Sequence, residues 1–281
     1  MNRQRIFTTL LLSATLSTAF AGGGWPQPRG GGFFKLGQNA IIAGRYFQPD
    51  GSIEDIRTIS LYTTSLYAEY GLTDRLTAIA YVPFFVRSTL NAESFTAGAT
   101  TIPADFVNSF GDTNLGVKYG LLIGGPIVMS VGLTLGLPLG ATAGGETGIL
   151  QTGDGEFNQL VTVEASRAFG AFYSTVLLGF NNRTNDFSDE FRYGVEAGYT
   201  FGGKLIAQLR VFGVSSFMNG EARGGAGNSI FANDTEFLSI TPEVAYNLTD
   251  KVGVSASVGG AVFGKKILAS PNFGVGVYLK L

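Results

Sequence analysis

Seven ionic side chains interrupt stretches of the 281-residue chain in which apolar residues recur at every second position: Glu69, Lys118, Glu164, Arg192, Glu196, Arg210 and Glu243. Alternation assigns neighbours to opposite faces of a strand. Lys118 therefore lies opposite Leu115, Val117, Tyr119 and Leu121, and Arg210 opposite Leu205, Ala207, Leu209 and Val211. Both signs of charge gather on one set of faces. Two chemistries suit that pattern: a lining that sorts solutes by charge, or opposed pairs that fill an interior. The residues alone leave both open.

What is missing narrows the chemistry further. Histidine and cysteine are both absent, so the usual zinc, haem and iron–sulfur ligand sets and any Ser–His or Cys–His nucleophile cannot be assembled. Asp112, Asp154 and Glu156 resemble pieces of a calcium site, but no loop places ligands at alternate positions as such a site requires. No enzyme, metal or cofactor is expected. A net charge of -2 gives no basic surface for nucleic acid. Glycine, at 41 residues, is about twice its usual share.

The elements that position those charges follow from the same period of two. Ile127, Met129, Val131, Leu133, Leu135, Leu137 and Leu139 would encircle a helix but share one face of a strand. Marking every such stretch predicts strands over 33–46, 57–71, 75–87, 110–122, 126–139, 157–168, 171–182, 190–201, 204–215, 235–247, 251–263 and 272–281. Tight connections alternate with longer ones, notably 88–109, 140–156 and 216–233. Short turns at one end and long loops at the other are the pattern of an outer-membrane barrel. The expected fold is all-β: a transmembrane antiparallel up-and-down β-barrel of about 12 strands, with its apolar face on lipid. A soluble sandwich would carry Lys and Glu on its outer face, whereas here the polar faces are rich in Gly, Ser and Thr. In the first strand, turning Phe34, Leu36 and Ile42 to lipid also exposes Gln38, so a bulge or a one-residue shift is expected there. Aromatic residues cluster at strand ends, as interfacial girdles do.

Three segments are expected. Arg3 and Arg5, the apolar stretch Ile6 to Leu16 and Ala19-Phe20-Ala21 read as a signal peptide over 1–21, cleaved before Gly22. Residues 22–32, rich in Gly and Pro, form either a flexible periplasmic lead or a short plug anchored by Trp25, a side chain costly to leave in a linker. The barrel takes 33–281.

Several motifs carry a family likeness: Tyr67-Ala68-Glu69-Tyr70-Gly71-Leu72-Thr73-Asp74-Arg75-Leu76, Phe110-Gly111-Asp112-Thr113-Asn114-Leu115-Gly116-Val117-Lys118-Tyr119, Leu137-Pro138-Leu139-Gly140 and Thr152-Gly153-Asp154-Gly155. In order and spacing the chain resembles the outer-membrane transporter family of meta-pathway phenol degradation proteins. That resemblance implies a barrel passing small, hydrophobic or aromatic solutes. Gly276, Leu279 and Leu281 resemble the C-terminal assembly signal of outer-membrane proteins, which implies recognition by the barrel-assembly machinery, although the chain ends in Leu rather than Phe. The expected partners are outer-membrane lipid and a small-molecule solute, the expected state is a monomer, and the expected function is a passive channel. A non-conducting structural or surface-attachment barrel is the alternative.

Overall fold

The computed structural model describes residues 23–95, 100–221 and 231–281; the expected signal peptide lies outside them. Sixteen β-elements follow in order: β1 Gly32–Phe47, β2 Ile53–Gly71, β3 Leu76–Leu90, β4 Glu93–Phe95, β5 Thr100–Ile102, β6 Asp105–Ser109, β7 Thr113–Leu122 and β8 Val128–Leu137. The second half comprises β9 Asn158–Phe169, β10 Phe172–Arg183, β11 Glu190–Phe201, β12 Leu205–Ser216, β13 Glu236–Asn247, β14 Val252–Lys265, β15 Ile267–Leu268 and β16 Asn272–Lys280. Each wall strand pairs antiparallel with the next, and β1 pairs with both β2 and β16. That last pairing closes the sheet into a barrel and removes its edges. Because β6 and β7 both pair with β3, they form one interrupted wall strand, and the wall counts 12 strands.

Side-chain direction follows the alternation. Leu133, Val161, Val163, Val176, Leu178, Val195, Leu209, Val244, Val275 and Val277 are each about half exposed on the outer face. Such exposure over a whole sheet face suits lipid, since a hydrocarbon solvent imposes no penalty on apolar surface. Two outward arginines lie near opposite ends of the wall, each over a ring: Arg87 on Phe106 at 4.4 Å and Arg167 on Phe169 at 4.2 Å. Phe172 lies beside Phe169 with its ring tilted against it, as in an interfacial belt where amphipathic groups meet headgroups.

Two departures from the sequence reading have local causes. The segment 88–109 is not simply a loop. β3 runs on to Leu90, β6 pairs with it, and a β4–β5 hairpin fills part of the interval. The wall breaks at Phe110–Asp112 because Pro83, which has no amide hydrogen to offer a ladder, stands opposite; its carbonyl takes the Gly111 N–H instead at 2.8 Å. In β1, Gln38 does face outward, and it accepts a hydrogen bond from the Thr64 hydroxyl at 2.6 Å. The expected irregularity comes further along, between Ala43 and Arg45.

Candidate functional site: the barrel lumen

The interior divides into three levels. At the short-turn end the chain before β1 does not hang free but crosses the inner wall. Gly24 N–H donates to Ser166 Oγ at 2.7 Å, Ser130 Oγ donates to the Gly24 carbonyl at 2.5 Å, and Lys118 Nζ donates to the Gly23 carbonyl at 2.8 Å. Gln27 completes the seam, its N–H reaching Thr77 Oγ1 at 2.8 Å and its side-chain amide Glu69 Oε2 at 2.9 Å. Trp25 meets Tyr173 edge-on, with ring centroids 6.0 Å apart. Two glycines permit this closeness: a Cβ at Gly71 would collide with the Pro28 carbonyl, and one at Gly120 would come within 2.7 Å of the Pro26 ring.

Beneath that segment Lys118 and Glu69 stand 3.5 Å apart, both almost wholly enclosed, and Tyr67 donates its hydroxyl to Glu69 at 2.5 Å. Burying two charges is tolerable only when each is paired and its remaining valences are met, and here the N-terminal segment supplies part of that solvation.

The middle level holds two cavities. The larger, about 420 Å³, is lined among others by Lys35, Asn39, Tyr67, Tyr81, Arg210 and Glu243; the smaller, about 230 Å³, by Gly23, Glu164, Leu177, Glu196, Arg210 and Phe212. Arg210 borders both. Its Nε and Nη2 hold Glu196 Oε2 at 2.8 and 2.7 Å, while the Tyr173 hydroxyl lies 2.8 Å from the other Glu196 oxygen. Half of the Arg210 side chain remains accessible (50%), on the side that borders the cavities. Glu243 is paired with Lys35 at 2.6 Å. Glu164 differs from its neighbours: one of its carboxylate oxygens is buried and accepts no hydrogen bond.

At the long-loop end an apolar cluster of Ala43, Tyr46, Ile59, Leu90, Leu150 and Leu268 narrows the interior. Leu150 belongs to the connection 138–157, which folds inward and is pinned at several points. Asp105 accepts the N–H groups of Glu146 and Thr147, each at 2.9 Å. Asp112 accepts those of Gly140 and Asp154 at 2.9 and 2.8 Å. Arg183 then gathers Asp154, Glu156 and Glu190 at 3.3, 2.5 and 2.8 Å. Burial, with Glu156 and Asp112 beside it, pushes the Asp154 carboxyl up to about 7 against the pull of Arg183. Burial likewise raises Glu156, opposed by the same guanidinium.

The structure thus gathers Glu69, Lys118, Glu164, Glu196, Arg210 and Glu243 around the lower and middle lumen. It sets Arg192 apart toward the long-loop end, bound to Glu190 at 2.8 Å. Sequence reasoning missed Lys35, although placing Phe34 and Leu36 outward obliges Lys35 to point inward. It also missed the Arg183 cluster, whose partners come from the long connection and the next strand and share no local pattern.

In comparisons with known proteins, the chain is similar in structure to an outer membrane channel from Pseudomonas putida F1, at 12% identity over 94% of this chain and 100% of that one, with a TM-score of 0.66. It is also similar to the translocator domain of the autotransporter NalP from Neisseria meningitidis, at 12% identity over 89% of this chain and 88% of that one, TM-score 0.51. The KdgM porin, solved in complex with disordered oligogalacturonate, matches at 8% identity over 89% of this chain and 99% of that one, TM-score 0.50. No family model and no curated protein matches the chain. What these likenesses share is the fold, a membrane β-barrel.

Proposed function

We propose that the protein is a Gram-negative outer-membrane channel through which small solutes pass down their gradient, and that its own N-terminal segment narrows the passage as a short plug. The observation that carries this reading is the open-mouthed cavity of about 420 Å³ at mid-barrel, lined by both polar and aromatic side chains, beside an accessible arginine and walled from an apolar exterior. A merely structural barrel would gain nothing from leaving that volume unfilled, because close packing is the stabilising arrangement.

The lining suggests the solute class. Tyr67, Tyr81 and Tyr278 offer ring faces and edges, while Lys35, Arg210 and Asn39 offer polar contacts. A small aromatic compound with a carboxylate or hydroxyl substituent suits such a mixture, its ring on the tyrosines and its anionic group on Arg210. The resemblance to the phenol-degradation transporters supports the same class. The long loops then face outside the cell and the short turns the periplasm. The β16 strand, completing the wall between β14 and β1, would be the segment presented to the assembly machinery.

Swelling of liposomes carrying the purified protein tests the reading: benzoate should enter faster than a trisaccharide. Failure of both to enter, together with the absence of any single-channel current, would favour the non-conducting barrel.

A further inference from the structure

Exposed charges are sorted by sign along the barrel axis. At the short-turn end Arg29, Arg75, Arg167, Lys204 and Lys251 are exposed against the carboxylates of Asp74 and Asp250. At the long-loop end Asp50, Glu54, Asp55, Glu146, Asp186 and Glu221 are exposed, and Arg45 is the one exposed cation there among the described residues. An excess of one sign at a rim acts on a charged surface within about a Debye length, roughly 8 Å at physiological ionic strength.

Three of the cations at the short-turn end form an arc. Arg167 lies at the end of β9, Lys204 between β11 and β12, and Lys251 between β13 and β14, so successive members stand about two strand spacings, roughly 10 Å, apart along the rim. Their backbones are tied to neighbouring strands: the Lys204 carbonyl accepts the Asn247 N–H at 2.9 Å, and the Lys251 carbonyl accepts the Lys280 N–H at 2.7 Å. None of the three takes part in an ion pair among the described residues. Each adjoins large apolar groups of the outer face. Arg167 lies over Phe169, with Phe172 beside it. Tyr199 and Phe201, their ring centroids 4.6 Å apart, end β11 just before Lys204. Tyr246 and Leu248, both about half exposed, come just before Lys251. Cations next to aromatic rings at the edge of an apolar wall occupy the headgroup level of a leaflet.

We propose that Arg167, Lys204 and Lys251 form a binding arc for anionic phospholipid headgroups, of the phosphatidylglycerol type, in the leaflet that meets the short turns. Each basic side chain near such a surface strengthens association by about fivefold. The carboxylates of the opposite rim repel the same headgroup, so the barrel distinguishes the two leaflets by charge. An acidic protein in the periplasm would also meet the cations, but the rings beside them face the lipid side of the wall, which favours the lipid. The inference goes beyond the channel reading and takes from it only which leaflet the short turns meet.

The test mixes the folded protein, in a non-ionic detergent, with phosphatidylglycerol or phosphatidylcholine of identical acyl chains, and native mass spectrometry counts the lipid retained. The variants are Arg167→Gln, Lys204→Gln and Lys251→Gln, singly and together, with Arg45→Gln as the control at the other rim. Retention of the heat-dependent shift in gel mobility shows that each remains a folded barrel. The wild type should prefer phosphatidylglycerol by about tenfold or more, each single variant of the arc should lose about fivefold of that preference, and the triple variant should retain the two lipids within about twofold of each other. Arg45→Gln should stay within about twofold of wild type. Equal retention of both lipids by the wild type would overturn the proposal. So would a preference that survives in the triple variant, or one that falls as far in Arg45→Gln as in Arg167→Gln, which would show a response to net charge rather than to the arc. Lipid retention is read without any current, and liposome swelling without any retained lipid, so this proposal and the channel reading fail separately.

Discussion

Arg210 is the residue whose substitution reads most directly on permeation. Its guanidinium is held on one side by Glu196 and stays half accessible on the other, where it borders both cavities. Arg210→Gln removes one positive charge from a narrow, weakly screened passage. Reversal potentials in a salt gradient should therefore move toward greater cation preference, and an unaltered potential would take Arg210 out of the pathway. Gly71 tests the seating of the N-terminal segment in the same way. In Gly71→Ala the new methyl must displace the Pro28 carbonyl, at a cost of about 1–3 kcal/mol for overpacking. The barrel should still fold, and its single-channel conductance should rise; a conductance equal to wild type would mean that the segment does not obstruct flow. At this scale the sequence was informative wherever alternation ran unbroken: Lys118, Glu164, Arg210 and Glu243 each face the lumen as their registers required. It was silent on which charge meets which, because Lys35 and Glu243 are 208 positions apart in the chain, and no local signal joins them.

The connection 138–157 is the element that governs the other end of the lumen. Leu150 anchors it in the apolar cluster, and the carboxylates of Asp105 and Asp112 hold its backbone. Burial of Asp154 is expected to make the inward packing of this connection sensitive to pH. Burial beside Glu156 and Asp112 pushes its carboxyl up to about 7 from the ordinary 3.8, so the inward-packed arrangement binds the proton more tightly than one in which Asp154 meets water. By linkage, closure is most favoured below about pH 4 and weakens as pH rises through about 7. Open probability in single-channel recordings should accordingly increase between pH 5 and 8, and Asp154→Asn, which cannot ionise, should flatten that dependence. An undiminished pH response in the variant would assign it elsewhere. The sequence marked this stretch only as a long loop. Its inward fold comes from Asp105 on β6, Asp112 just after it and Arg183 on β10, which reach it through space, so periodicity could not announce it. The break between β6 and β7 was hidden for a related reason: apolar alternation continues through Phe110, and only Pro83 on the facing strand explains the interruption.

For the molecule as a whole, the arrangement is a solvent inversion: hydrocarbon outside, polar groups within. It was legible from the chain because the barrel repeats one rule over its entire wall, and a lysine or arginine on the lipid face near the midplane would cost about 2–4 kcal/mol. The outward arginines Arg87 and Arg167 instead lie near the rims, over aromatic rings. The even strand number returns the start of β1 and the end of β16 to the short-turn end, where Leu281 N–H donates to the Gly32 carbonyl at 2.8 Å. Only from that end can the preceding segment enter the lumen, so the placement of Trp25 and its neighbours against the inner wall is a consequence of topology as much as of side chains. The most direct measurement compares the single-channel conductance of the wild type with that of a chain lacking residues 22–28 in planar bilayers. Small currents are expected for the wild type and clearly larger ones for the shortened chain. Identical conductances, or silence from both proteins, would contradict that expectation.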